Sequence, residues 1–240
     1  MFTPDQIFRS VLKSYFTFFN RTNDVTGNMS LPPGPKIIAM NHTLGCDPLY
    51  LPFVLEETPH FLLQDGLFAI PVIGWMLEET EQIPVYRGTE RAKDAKERAC
   101  AMLREGKTIA IFPEGKDVRR GQRIPAKTGV VRMSIETGAP IIPLGLYAPP
   151  QYLTPLSFNW QGSHRSGAWQ FTGKSYMRFG TAWKPIAHSD IQAQTKELMD
   201  RIYSLVAEAE KESQYISHTL INPIHLEHGI QANFMFNQGE

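Results

Sequence analysis

From residue 36 to residue 210 the chain repeats one pattern: a short apolar run, a turn, then a longer amphipathic or Ala-rich stretch. Apolar runs at 37–40, 60–64, 82–86, 108–112, 141–147 and 175–183 are too short for typical helices, and most are bracketed by Gly, Pro, Asn or charged residues. The stretches between them carry helix punctuation. Residues 47–56 open on Asp47-Pro48, an N-cap with proline at the first helical position. Residues 91–105 place Ala92, Ala95, Ala99, Met102 and Leu103 inward and stop at Gly106. Residues 127–137 stop at Gly138, and 190–210 gather Ile191, Leu198, Ile202, Leu205 and Val206 on one side. Strand and helix in alternation predict an α/β domain over 36–210, with a mainly parallel mixed sheet flanked by helices. With 240 residues and 42% apolar content, the chain can bury a sizeable core.

The flanks read differently. Residues 5–20 predict an amphipathic helix, with Ile7, Phe8, Val11, Leu12, Tyr15, Phe18 and Phe19 on one face and Gln6, Arg9, Ser10, Lys13, Ser14 and Thr17 on the other. A polar linker, 20–35, follows, so 1–35 forms an N-terminal helix and linker. Residues 149–174, rich in Pro, Gly and aromatics, predict a hairpin or an excursion over a substrate cleft. Residues 211–240 read as a C-terminal tail.

Formal net charge is zero, so bulk electrostatics favour no nucleic-acid partner. The two cysteines, Cys46 and Cys100, have no metal-ligand spacing, and a reducing cytosolic setting is expected. No signal peptide is expected at the N-terminus. The apolar stretch 66–77 is twelve residues long, too short to cross a bilayer. The face of the 5–20 helix either packs on the domain or lies in a membrane interface. The stretch 66–77 and the aromatics Trp160, Trp169 and Phe171 are further candidates for a lipid-facing rim, with core packing the commoner fate.

The chemistry begins at 40–47, M-N-H-T-L-G-C-D. His42 leaves the first strand and Asp47 starts the next helix. A carboxylate on one imidazole nitrogen fixes the tautomer and lets the other nitrogen take a proton. The plain alternative is a satisfied loop histidine and an ordinary N-cap. At 83–87, I-P-V-Y-R puts Arg87 after a strand, where a guanidinium can bind phosphate through two donors, or simply be solvated. At 111–116, I-F-P-E-G-K places Glu114 at a strand end beside Gly115, either to hold an acceptor's polar groups or anchor Arg87, or as a plain turn. At 139–145, A-P-I-I-P-L-G reads as architecture.

These four blocks, in this order, resemble the glycerolipid acyltransferase family, which includes the lysophosphatidic acid and glycerol-3-phosphate acyltransferases. The intervening G-L-F-A-I-P-V-I-G-W-M-L and K-T-G-V-V-R-M-S-I-E-T-G-A-P look similar too, and the resemblance covers about 36–147. It implies a glycerol-3-phosphate acyltransferase-like fold, with His42 as general base and Asp47 its orienting partner. Arg87 would bind the acceptor's phosphate, and Glu114 and Gly115 would help form the acceptor site. The donor implied is an acyl-coenzyme A or acyl carrier protein thioester. The acceptor is a lyso-phospholipid such as 1-acylglycerol-3-phosphate, attacking the thioester directly. Neither cofactor nor metal is implied, and Cys46 is read as packing. The expected location is the cytoplasm, peripheral on a membrane's cytoplasmic face. One departure concerns the acceptor: the third block commonly continues F-P-E-G-T-R, whereas here it runs F-P-E-G-K-D-V-R-R-G. Lys116 or Arg119 supplies the missing charge, or else the acceptor is a different lyso-lipid or a small hydroxyl or amine compound. A non-catalytic lipid-binding protein of the same fold and a thioesterase are the remaining alternatives.

Overall fold

The computed structural model describes residues 4–15, 24–27, 31–160 and 163–221. Its elements, in chain order, are α1 (Pro4–Tyr15), β1 (Asp24–Gly27), β2 (Lys36–Met40), α2 (Tyr50–Val54), β3 (Pro59–Gln64), α3 (Ile73–Glu79), β4 (Ile83–Val85), α4 (Asp94–Arg104), β5 (Thr108–Ile111), α5 (Gly129–Thr137), β6 (Ile141–Tyr147), β7 (Leu153–Trp160), β8 (Ser163–Gln170), β9 (Tyr176–Phe179) and α6 (Ile191–Ile221). Seven strands form one sheet in the order β1-β9-β6-β2-β5-β3-β4, and β7 and β8 form a separate antiparallel hairpin. Within the large sheet only β6 and β9 run antiparallel. This is the mainly parallel mixed sheet that the alternation predicts.

Continuous apolar runs suit strands buried on both faces. β2 is buried at every position. Ile38 and Met40 pack with Ala110, Ile142, Leu144, Tyr50, Leu51 and Leu12 on one face. Ile37 and Ala39 pack with Ile109, Ile141, Ala99, Leu103, Met133, Leu198 and Ile202 on the other. The two-residue side-chain period of a strand sorts neighbours between the two cores. β2 and β5 are adjacent, but the chain leaves β2 towards β3 and leaves β5 towards β6 on the opposite side. The connections after these two adjacent strands therefore run in opposite directions, the kind of position where open parallel sheets place ligands.

Several local expectations need correction. The linker expected over 20–35 contains β1, which adds an edge strand by pairing with β9 from Asp24↔Tyr176 to Gly27↔Phe179. The run at 175–183 is divided: β9 ends at Phe179, and Trp183 makes a lone bridge to Ile141. The last helix extends past 210 to Ile221. The apolar face of the first helix does not bury as a unit. Phe8, Leu12 and Tyr15 meet the core, while Ile7 is 54% and Val11 62% exposed. Arg9, expected on the solvent face, is buried because its guanidinium fills the carbonyls at the end of α2. Phe18 and Phe19 lie outside the described residues. The excursion at 149–174 is the β7–β8 hairpin, in register from Leu153↔Gln170 to Trp160↔Ser163. Among the described residues, no helix is long and apolar enough to cross a membrane.

Candidate active site

β2 is pinned at its C-terminal end. The Asn41 carboxamide donates to the Leu146 carbonyl at 2.9 Å and accepts from the Leu146 amide at 2.8 Å, locking the strand end to β6. His42 follows directly. The chain then tightens into a 3-10 turn, Asp47–Leu49, with Pro48 near its start. That turn brings the Asp47 carboxylate back. Its Oδ2 lies 3.0 Å from His42 Nδ1 and accepts from the Thr43 and Leu44 amides at 2.7 and 2.8 Å. Asp47 is thus not the N-cap expected from Asp-Pro. Cys46 holds that position, and the carboxylate serves the preceding loop. Asp47 is fully buried.

With Nδ1–H donated to Asp47, the imidazole keeps a lone pair on Nε2. The ring stacks on Phe112 at 4.1 Å between centroids and 21° between planes. The His42 carbonyl accepts from the Val118 amide at 2.8 Å, tying the loop after β5 to the loop after β2. Burial alone would lower the His42 pKa. The hydrogen bond and charge of Asp47, with the charges of Asp117 and Glu114, outweigh it and hold the value above the ordinary 6.5. An imidazole raised in this way binds a proton more firmly. Cys46 is different: burial pushes its thiol up to about 11, so it stays protonated and packs.

Glu114 follows β5 and is buried, and the Tyr203 hydroxyl of α6 donates to its Oε1 at 3.3 Å. Burial raises its pKa, opposed by its own amide and that of His42. Gly115 has φ 68°, and a Cβ there would stand 2.8 Å from Lys127 Cε. Only glycine fits this turn without displacing Lys127. Arg87 reaches the same sheet edge from β4, and its Nη2 donates to the Gly115 carbonyl at 2.6 Å rather than to Glu114. Lys116 and Arg119 are exposed and make no ion pair among the described residues. His42, Asp47, Arg87, Glu114 and Gly115 therefore meet where β2, β4 and β5 end. Asp117, also exposed, lies near Gly167 of the hairpin.

Sequence reasoning missed Lys127, Tyr203 and Gln170, and offered Trp169 for a lipid-facing rim rather than for this site. The indole of Trp169 covers Gly45, whose Cβ would lie 2.5 Å from the indole nitrogen. The Gln170 amide meets Cys46 Sγ at 3.4 Å, and its side chain accepts from the Tyr50 hydroxyl at 2.7 Å. No local pattern links such distant positions to the turn they support. Among the described residues, no group of His, Cys, Asp or Glu is arranged to hold a metal ion.

Residues 23–147, just over half the chain, match the sequence profile of the family described as Acyltransferase. The chain belongs to the Acyltransferase family. The matched segment holds His42, Asp47, Arg87, Glu114 and Gly115, and the four-block resemblance is borne out at that level. Among its relatives is a 1-acyl-sn-glycerol-3-phosphate acyltransferase of Borreliella burgdorferi, 34% identical over 125 residues, covering 51% of this chain and 50% of that protein. A chloroplastic 1-acyl-sn-glycerol-3-phosphate acyltransferase of Brassica napus is 29% identical over 136 residues, covering 55% of this chain and 39% of that protein. The matches span half or less of these relatives. The crystal structure of a 1-acyl-sn-glycerophosphate acyltransferase from Thermotoga maritima has the same fold, with a TM-score of 0.68 and 22% identity over 86% of this chain and 79% of that one. The hairpin and Tyr203 lie beyond the profile match.

Proposed function

We propose that the chain is an O-acyltransferase that moves a fatty acyl group from an acyl-coenzyme A or acyl carrier protein thioester to the free hydroxyl of 1-acyl-sn-glycerol-3-phosphate. The observation that carries this reading is the buried Asp47 carboxylate 3.0 Å from His42 Nδ1, within a chain of the Acyltransferase family. His42 Nε2 takes the acceptor's hydroxyl proton as the oxygen attacks the thioester carbonyl. The C–S bond breaks, an ester remains, and the thiolate leaves with the proton from His42. No acyl-enzyme is needed. Arg87, with Lys116 and Arg119 from the segment after Gly115, provides cations for the acceptor phosphate, and Glu114 and Gly115 shape the turn around it.

Asp117 favours a second reading for the acceptor. It sets a carboxylate near His42 where the usual pattern has an arginine, which suits a lyso-lipid with another headgroup or a small hydroxyl or amine compound. Exposed apolar side chains support peripheral membrane attachment: Ile7 and Val11 of α1, Val72, and Ile73 and Trp75 of the neighbouring α3.

The test is thiol release from palmitoyl-coenzyme A, and separately from palmitoyl-acyl carrier protein, with a panel of lyso-lipids in micelles, beside His42→Ala. Release that requires both acceptor and His42 is expected, with His42→Ala slower by about 10²–10⁴-fold. Release without acceptor would instead identify a thioesterase. No release with either thioester donor across the panel would favour a non-catalytic lipid-binding role.

A further inference from the structure

Arg9 lies outside all four blocks, yet it reaches the helix that follows Asp47. Its guanidinium is buried, with Nη1 donating to the Leu55 carbonyl at 2.6 Å and to Pro52 at 3.1 Å, and Nη2 to Glu56 at 3.0 Å. Its Nε pairs with Asp5 at 3.2 Å. The three carbonyls sit at or just beyond the C-terminal end of α2, where helix carbonyls lack backbone partners. A cation there satisfies them and complements the helix's negative end. Asp47 begins the turn that runs directly into α2. The carboxylate and the clamped carbonyls are thus two ends of one short segment, 47–56.

The same first helix supplies a second brace. The Tyr15 hydroxyl donates to the Phe171 carbonyl at 2.7 Å. The adjacent Gln170 is buried, receives the Tyr50 hydroxyl and contacts Cys46 Sγ, while Gly45 donates to the Ala168 carbonyl at 3.0 Å. α1 therefore holds the far end of the segment through Arg9 and the near end through the exit of β8.

We propose that Arg9 is a positioning residue for the His42–Asp47 pair, fixing the C-terminal end of α2 and thereby the Asp47 carboxylate against the imidazole, with Tyr15 as the second brace. This rests on reading that pair as the catalytic one. An interfacial charge on a lipid-facing helix would be exposed, and Arg9 is 9% exposed.

The test is NMR titration of the full chain with labelled histidines, the His42 signals assigned with His42→Asn. The charged groups acting on the ring are Asp47, hydrogen-bonded at Nδ1, and Asp117 and Glu114 from the loop after β5. The latter two are untouched by the variants. In the wild type His42 titrates above 6.5. In Arg9→Met, similar in length but without donors, the Asp47 contact loosens and the midpoint falls below that of the wild type, because burial lowers it and the Asp47 contact opposes burial. Tyr15→Phe shifts it the same way by less, and Arg9→Lys keeps part of the wild-type value. A role confined to overall stability or membrane attachment would lower the melting temperature or vesicle binding and leave the midpoint in place. An unchanged midpoint in folded Arg9→Met overturns the proposal. Should that variant not fold, unchanged midpoints in both Arg9→Lys and Tyr15→Phe do the same. The titration needs no substrate, so failure of acyl transfer and failure of the brace are separate results.

Discussion

At the residue scale the centre of the molecule is one carboxylate oxygen with three donors. Asp47 Oδ2 receives Nδ1 of His42 and two amides, which orients the ring and favours the imidazolium. Because the His42 pKa is raised, the neutral base is lost as pH falls through a value above 6.5. The acid limb of kcat/KM is therefore expected above 6.5 in the wild type and lower in Asp47→Asn, where the charge is gone. That substitution should also reduce the rate by about 10²-fold or more. A pH–rate profile of both proteins checks the pair; identical acid limbs would argue that Asp47 does not act on His42. Cys46 offers a second check. With its thiol raised to about 11 it should resist iodoacetamide at mildly alkaline pH, while denatured protein is alkylated. Mass spectrometry of the treated protein reads the outcome.

At the element scale the loop after β2 is held by segments distant in sequence. The β7–β8 hairpin leans on it through Trp169 and Gln170, and α6 reaches the neighbouring turn through Tyr203. Gly45→Ala would drive a methyl group into the indole, so either the loop or the hairpin must shift. A lower melting temperature and a lower kcat are expected together, and Trp169→Ala in the same chain should relieve part of the thermal loss. Thermal unfolding of the single and double variants measures it. Tyr203→Phe removes a donor to buried Glu114, a loss of about 1–3 kcal/mol for a buried charged acceptor. Denaturant unfolding should show it, and a stability equal to the wild type would mean the 3.3 Å contact contributes nothing.

At the scale of the whole molecule, the sheet gathers the loops after β2, β4 and β5 at one edge, while α1 and α3 place apolar side chains outward. Exposed Val11, Val72 and Trp75 are unusual for a surface facing only water. Sedimentation with anionic and neutral vesicles tests their role. Val11→Ser with Trp75→Ser should weaken vesicle binding by about tenfold or more, because each apolar side chain contributes up to roughly 1.5–3 kcal/mol when fully buried. Equal sedimentation of variant and wild type would mean that these side chains do not bind a membrane.

The sequence alone determined the strand–helix alternation, the parallel sheet and the residues of the His42 and Arg87 blocks. These rest on local periodicity and on motifs whose members lie within a few residues of one another. The turn that returns Asp47 to His42 is of the same kind, since five residues and a proline suffice to build it. Arg9 was misread for the opposite reason. A helical wheel assigns a charged residue to water, and only packing brings three carbonyls at and just beyond the end of α2 to its guanidinium. The linker that holds β1, the hairpin's grip on Gly45 and Cys46, and the reach of Tyr203 to Glu114 were likewise decided by tertiary structure. Each depends on pairing or burial between segments far apart in the chain, where no sequence period carries information.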